Sequence, residues 1–265
     1  METWVIYLFV AVLALLTVTG LFLFTVTRGA MVVRRYLSDT HTDAAHVYPI
    51  YSNMRLIRLI DFQPIISAIL LFQYHRLVSA IVEGLHNLEL RGQKVLITSC
   101  AFGNVIPRVV SAAIETGADK VMIADIIRNE LAHTESKLLG AAHARTEMLE
   151  QNAVNLKVAS ESVAANVIFF LLHELPHSLK IEALREAGRV TQPGGKIFLA
   201  EFHRPERWVL RALSWTYFKV FEPLGLALWD THDPVMLIDE IGGFTCERHT
   251  YSCGNFQIIV ATKSR

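Results

Sequence analysis

The chain has 265 residues, enough for one sizeable α/β domain plus an attachment, and its 25 basic and 25 acidic side chains leave a formal charge of zero. With no net field and no dense basic stripe, nucleic acid is not an expected partner. Three cysteines, Cys100, Cys246 and Cys253, are too few and too scattered for a disulfide framework, and no Cys/His cluster has zinc spacing, so a reduced, cytosol-facing setting is expected.

The first element is the uncharged run from Trp4 to Val26, WVIYLFVAVLALLTVTGLFLFTV, long enough to cross a bilayer core. A cleaved signal peptide is the alternative; Glu2 ahead of the run, the lack of a basic residue there and the absence of an A-x-A site argue against it. Arg28, Arg34 and Arg35 follow the run. By the positive-inside rule the amino terminus then faces out and the rest faces the cytoplasm, or the matrix for an inner mitochondrial membrane. A polar link spans 27–47. From Tyr48 to Leu85 the chain is apolar but interrupted by Arg55, Arg58, Asp61, His75 and Arg76. The apolar run 64–72 is too short for a second span. Two amphipathic helices broken near Pro64 are expected, lying at a membrane interface or packed as a cap on the domain that follows.

From Lys94 short apolar runs alternate with helical stretches. Strands are expected at 94–99, 120–124, 146–151, 165–171, 196–202, 245–250 and 255–262, and helices near 105–116, 128–141, 178–190, 207–228 and 234–241. The alternation implies an α/β fold, a mostly parallel sheet with helices on both faces, ending in an antiparallel hairpin around SCGN. That layout resembles the Rossmann-like class I S-adenosylmethionine (SAM)-dependent methyltransferases. The expected organisation is an anchor at 1–27, a linker with membrane-proximal helices at 28–90, and a methyltransferase-like domain at 91–265 with a lid insertion at 204–234.

In such a sheet the ligand sits beyond the carboxyl ends of the strands. After the first strand come Ser99, Cys100, Ala101, Gly103 and Asn104. Gly103 permits positive φ, whereas Ser99 and Ala101 stand where glycine is usual, and Ile97 replaces a frequent acid. Asp125 ends the second strand about twenty residues after that turn, where a carboxylate accepts ribose hydroxyls; a helix cap is the alternative. Ile126 would lie against adenine. Asn152, after the third strand, offers a carbonyl to an adenine amino group, or is a plain loop residue. Phe170 to Glu174, after the fourth strand, face the methionine end and the substrate. His173 and Glu174 are the strongest acid–base candidates, with strand capping as the alternative. Pro193-Gly194-Gly195 reads as a tight turn before the fifth strand, which ends at Glu201, His203 and Arg204; the last two suit a substrate carbonyl or phenolate, or a surface pair. Trp215, Tyr217, Phe218, Phe221 and Trp229 would form an aromatic lid or a plain core helix.

The strings FFLLHELP, REAGRVTQPGGKIFLAEFHRPERW and EPLGLALW, with the glycine-poor loop SCAFGNVIPR and the upstream YPIYSNMRLIRLIDF, resemble the rhodoquinone-biosynthesis methyltransferase-like proteins, relatives of the ubiquinone and menaquinone C-methyltransferases. The resemblance covers roughly Tyr48 to Lys263. It implies SAM as cofactor, a membrane quinone as substrate, and replacement of a ring methoxy group by an amino group from SAM with a divalent metal such as manganese assisting. By position it places Cys100, Gly103 and Asn104 at the SAM loop, Asp125 at the ribose, and His173, Glu174, His203 and Arg204 at the reaction centre. Asn104 and Asn152 stand where that family has acids. A carbonyl can ligate a metal but adds no charge, which sets a catalytically degenerate subunit of a membrane protein complex beside the enzyme reading.

Overall fold

The computed structural model describes residues 3–24, 32–34, 45–47, 51 and 53–265. Val26, Arg28, Arg35 and most of the link over 27–47 lie outside them. Helix α1 (Thr3–Phe24) is apolar all round, and none of its Trp4–Leu21 window is buried in the protein, so it is a candidate membrane span or signal. Within the link, β1 (Val32–Arg34) and β2 (Ala45–Val47) pair antiparallel.

Three helices precede the sheet, where two were expected: α2 (Met54–Ile60), α3 (Gln63–Ile69) and α4 (Tyr74–His86). Pro64 does not break a helix. It occupies the first turn of α3, where its missing N–H would have no partner anyway. Asn53 caps α2 by accepting the Arg55 N–H. Leu71 and Phe72 at positive φ turn the chain between α3 and α4, whose axes differ by 95°. α4 buries Tyr74, Leu77, Val78, Ile81 and Leu85 against α5 (Val105–Glu115) in the core it shares with the sheet. Each such side chain stabilises by about 1.5–3 kcal/mol. The cap reading therefore describes α4. Leu59, Phe62, Ile65, Ile69, Leu71 and Phe72, from α2 through the turn after α3, stay exposed.

The sheet contains β3 (Lys94–Thr98), β4 (Lys120–Asp125), β5 (Thr146–Glu150), β6 (Val163–Phe169), β7 (Thr191–Phe202), β8 (Phe244–Tyr251) and β9 (Phe256–Lys263), in the order β5-β4-β3-β6-β7-β9-β8. The first five run parallel, and β9 enters antiparallel between β7 and β8. β6 is buried along its whole length, as a strand covered on both faces must be. Edge strand β8 is mostly exposed and carries Glu247, Arg248 and His249, which blunt it against further pairing. Helices α6 (Arg128–Glu135), α7 (Gly140–Ala144), α8 (His177–Val190) and α10 (Pro234–Ile241) complete the layers. α9 (Trp208–Phe221) and a 3-10 turn at Pro223–Trp229 fill the stretch between β7 and α10.

The turn expected at Pro193-Gly194-Gly195 is instead a bulge inside β7. Thr191 pairs with Val163 and Lys196 with Ala165, so four residues loop out opposite Ala164. The bulge admits a proline that has no N–H for the ladder. A Cβ on Gly195 would come 2.9 Å from the Ala164 carbonyl oxygen.

Candidate functional site

The chain runs outward from β3 to β4 and β5, then returns to place β6 on the other side of β3. A crevice opens at such a reversal, beyond the carboxyl ends of β3 and β6. Each strand is followed directly by a non-glycine residue at positive φ, Ser99 at 77° and Phe170 at 55°. Backbone held in this region costs about 1–3 kcal/mol and concentrates at working sites.

Asp125 ends β4 beside the crevice, 8% exposed. It accepts Cys100 N–H at 2.6 Å and Ile127 N–H at 2.7 Å, with Ser99 Oγ at 3.4 Å. Burial raises its carboxyl above the usual range, and these donors oppose that. Asp125 thus holds the β3–α5 loop: Oδ2 accepts from Cys100 and Ser99, and Oδ1, with the Ile127 N–H alone, keeps a further lone pair for a ribose hydroxyl. Cys100 is half-buried, and burial with Asp125 beside it pushes its thiol well up. Ile126 is half-buried next to Asp125. Asn152 accepts the Val154 N–H at 3.2 Å, so its carbonyl serves a local turn.

Gly103, at φ 83°, is tightly enclosed. Its N–H donates to Asp61 Oδ1, and a Cβ there would lie 2.7 Å from Tyr74 Cζ. Asn104 Oδ1 accepts from Tyr74 Oη at 3.1 Å and from Gln63 Nε2 at 3.4 Å. The loop is therefore clasped by the helices before the sheet. At the centre of the clasp Asp61 Oδ2 lies 2.6 Å from His133 Nε2 and accepts from Lys137 Nζ at 3.1 Å; Lys137 also donates to the Gly103 carbonyl at 2.9 Å.

Across the crevice, Glu174 accepts the Tyr51 phenol at 2.7 Å, and burial pushes its carboxyl up to about 7. Tyr51 stacks on Phe102, and its carbonyl accepts from Asn129 Nδ2, so it bridges the β3–α5 loop, the first turn of α6 and the turn after β6. His173 is buried with Nδ1 3.4 Å from Glu201. Burial alone would lower its pKa, but the Glu201 carboxylate prevails and the ring is pushed up to about 9. Phe170, His173, Phe202 and Phe218 pack edge to face, and Phe218 meets Trp229 the same way. In α9, Phe218 is core, whereas Trp208, Leu213 and Trp215 are exposed.

Apart from Asn152, which serves its local turn, the expected site residues thus fall into two groups. Ser99, Cys100, Gly103, Asn104, Asp125, Ile126, Phe170, His173 and Glu174 converge on the carboxyl edge of β3, β4 and β6. His203 and Arg204 turn away. His203 Nδ1 donates to the Gly254 carbonyl at 2.7 Å and its other nitrogen faces Arg248, while exposed Arg204 pairs with Asp230 at 2.7 Å. Sequence reasoning missed Tyr51, Asp61, Glu130, His133 and Lys137. Residues 130, 133, 134 and 137 form a polar stripe at helical spacing, and the α6 members of it face inward; that spacing was the available signal. Among the described residues no group of three or more His, Cys, Asp or Glu is arranged to hold a metal ion. The donors do not fit the manganese expectation.

The residues at the crevice do fit SAM: a strand-end carboxylate with a free lone pair on Oδ1, a loop of backbone amides, and a buried acid, Glu130, whose Oε1 has no partner. Fold and site define a class I SAM-dependent methyltransferase fold. A SAM-dependent methyltransferase of Aquifex aeolicus superposes with a TM-score of 0.56 at 16% identity, over 80% of this chain and 98% of that one. The chain belongs to the ubiE/COQ5 methyltransferase family, whose pattern matches residues 61–240. Demethylmenaquinone methyltransferases are among its relatives. That of Bacillus velezensis is 28% identical and that of Bacillus subtilis 27%, each over 157 residues, 59% of this chain. The match spans 65% of each relative's length.

Proposed function

We propose that the protein is a SAM-dependent transferase that modifies the ring of a membrane quinone in its reduced form, with α1 holding it at the bilayer. The observation that carries the reading is Glu174 beside the crevice, where its carboxyl accepts the Tyr51 phenol at 2.7 Å and burial pushes it up to about 7. When bound, SAM would supply the electrophilic methyl group. Asp125 would hold the ribose, and Ser99 to Asn104 would line the methionyl end. Glu174 takes the proton of a ring hydroxyl, which raises electron density at the carbon that accepts the group. His173 keeps its own proton at neutral pH and offers a cation beside the developing phenolate, so its expected role as base passes to Glu174. Phe170, Phe202 and Phe218 supply apolar walls that exclude water.

Ring methylation follows the names of the relatives. Rhodoquinone-type amination is the second reading, favoured by the FFLLHELP string and the glycine-poor SCAFGNVIPR loop. A non-catalytic subunit is the third, favoured by the prior engagement of Gly103 N–H with Asp61. The test is calorimetric titration of the detergent-solubilised full chain with SAM, for wild type and Asp125→Asn, followed by mass spectrometry after incubation with a quinol. Saturable binding weakened by the substitution, and a product heavier by one methylene, is the expected result. Exchange of methoxy for amino selects the second reading. No binding by folded protein overturns both enzyme readings.

A further inference from the structure

Glu130 stands in the first turn of α6, 3% exposed, and its Oε1 has no hydrogen-bond partner. The ionisable groups around it come from several elements that meet at the crevice. Asp125 of β4, Asp61 after α2 and Glu174 after β6 are acids, and Cys100 lies on the β3–α5 loop. Lys137 is the one cation acting on Glu130 in this set, and it is already committed to Asp61 Oδ2 and the Gly103 carbonyl. A buried carboxylate without a counter-ion is costly, so in this environment the group is held in its neutral form, its carboxyl pushed up to about 8 by burial and by Asp125. Such a site is completed by a ligand that brings a positive charge.

We propose that Glu130 receives the positive charge on the methionyl arm of the cofactor, its sulfonium or its α-ammonium, and thereby selects the charged cofactor over uncharged adenosine thioethers. This rests on the reading of the crevice as a SAM site. Glu130 is a binding residue here, and the proton it releases on meeting the cation goes to solvent.

The experiment measures binding of SAM, S-adenosylhomocysteine and 5′-methylthioadenosine to the solubilised full chain, wild type and Glu130→Gln, by calorimetry. Methylthioadenosine keeps the nucleoside and lacks both charges. The substitution is expected to weaken SAM by about 10- to 100-fold, the range of a lost charge-assisted contact, and to leave methylthioadenosine unchanged. If S-adenosylhomocysteine weakens with SAM the partner is the ammonium; if it is spared the partner is the sulfonium. SAM affinity of the wild type is also expected to rise from about pH 6 to about pH 7.5, below the range where an α-ammonium itself loses its proton, and this needs no variant to fold. Equal weakening of SAM and methylthioadenosine, no change in either, or a pH-independent wild-type affinity overturns the inference and leaves the cofactor site standing. Failure of the wild type to bind any of the three overturns the function reading with it.

Discussion

Removing Asp61 should loosen the loop that closes the crevice. The carboxyl side chain is 8% exposed and serves three donors at once: Gly103 N–H, His133 and Lys137. Asp61→Ala leaves the Lys137 ammonium, 18% exposed, with the Gly103 carbonyl as its remaining hydrogen-bond acceptor of the two it had, and strands the Gly103 amide. Breaking a buried ion pair from one side costs about 3–5 kcal/mol, a large share of a typical total of about 5–15. Asp61→Asn keeps an acceptor for the amide and should lose about half as much, on the order of 2 kcal/mol. Adding Lys137→Met to Asp61→Ala removes the orphaned charge and should recover about 1–3 kcal/mol. Urea unfolding of the full chain in detergent, followed by tryptophan fluorescence, gives the midpoints. A loss under about 1 kcal/mol for Asp61→Ala, or strict additivity of the pair within about 0.5, would refute the clasp.

Three groups with raised pKa values, Glu130 and His173 buried and Glu174 half-buried, make stability fall as pH rises. Glu174, Glu130 and His173 have pKa values raised from 4.5 to about 7, from 4.5 to about 8 and from 6.5 to about 9. Each contributes fully below its ordinary value and loses that contribution as pH climbs through the raised one. The thermal midpoint should therefore drop between about pH 5 and 9, and a rising midpoint would contradict it. Gly103→Ala meets both the left-handed φ and the Tyr74 ring, and should lose about 2–5 kcal/mol by the same unfolding assay. Glu174→Gln should cut turnover by about 100-fold or more while SAM binding in calorimetry stays within a factor of about three; unchanged turnover would remove Glu174 from the proton path.

Most strands of the main sheet were legible as short apolar runs bounded by polar or turn residues, the polar edge strands β5 and β8 by their place in the alternation, and Asp125 stood out as the carboxylate that ends one. Three features were not. Pro193 argues for a turn in any local reading, and only the register between β6 and β7 makes it a bulge within a central strand. Asp61 in an apolar stretch reads equally as a residue at a membrane interface or an inward ligand, and the choice is made by His133 and Lys137, more than seventy positions away. His203 follows directly on a strand that ends at the crevice, but its ring is drawn to the Gly254 carbonyl of the terminal hairpin, a contact set by tertiary packing.

A chain with zero formal charge thus gathers four acids, Asp61, Asp125, Glu130 and Glu174, around one crevice. For a fold kept only as a scaffold, Glu130 is a liability: an unsatisfied buried polar group costs about 1–3 kcal/mol, and an apolar residue of similar length would relieve it. Glu130→Met should accordingly raise the urea midpoint of the free protein, by about 1 kcal/mol or more. The same substitution should weaken SAM as Glu130→Gln does. Stability gained together with affinity lost is the signature of a group held for a ligand. Stability gained with binding untouched would mean that the acid does not meet the cofactor, and would overturn its assignment to the cation while leaving the cofactor site standing.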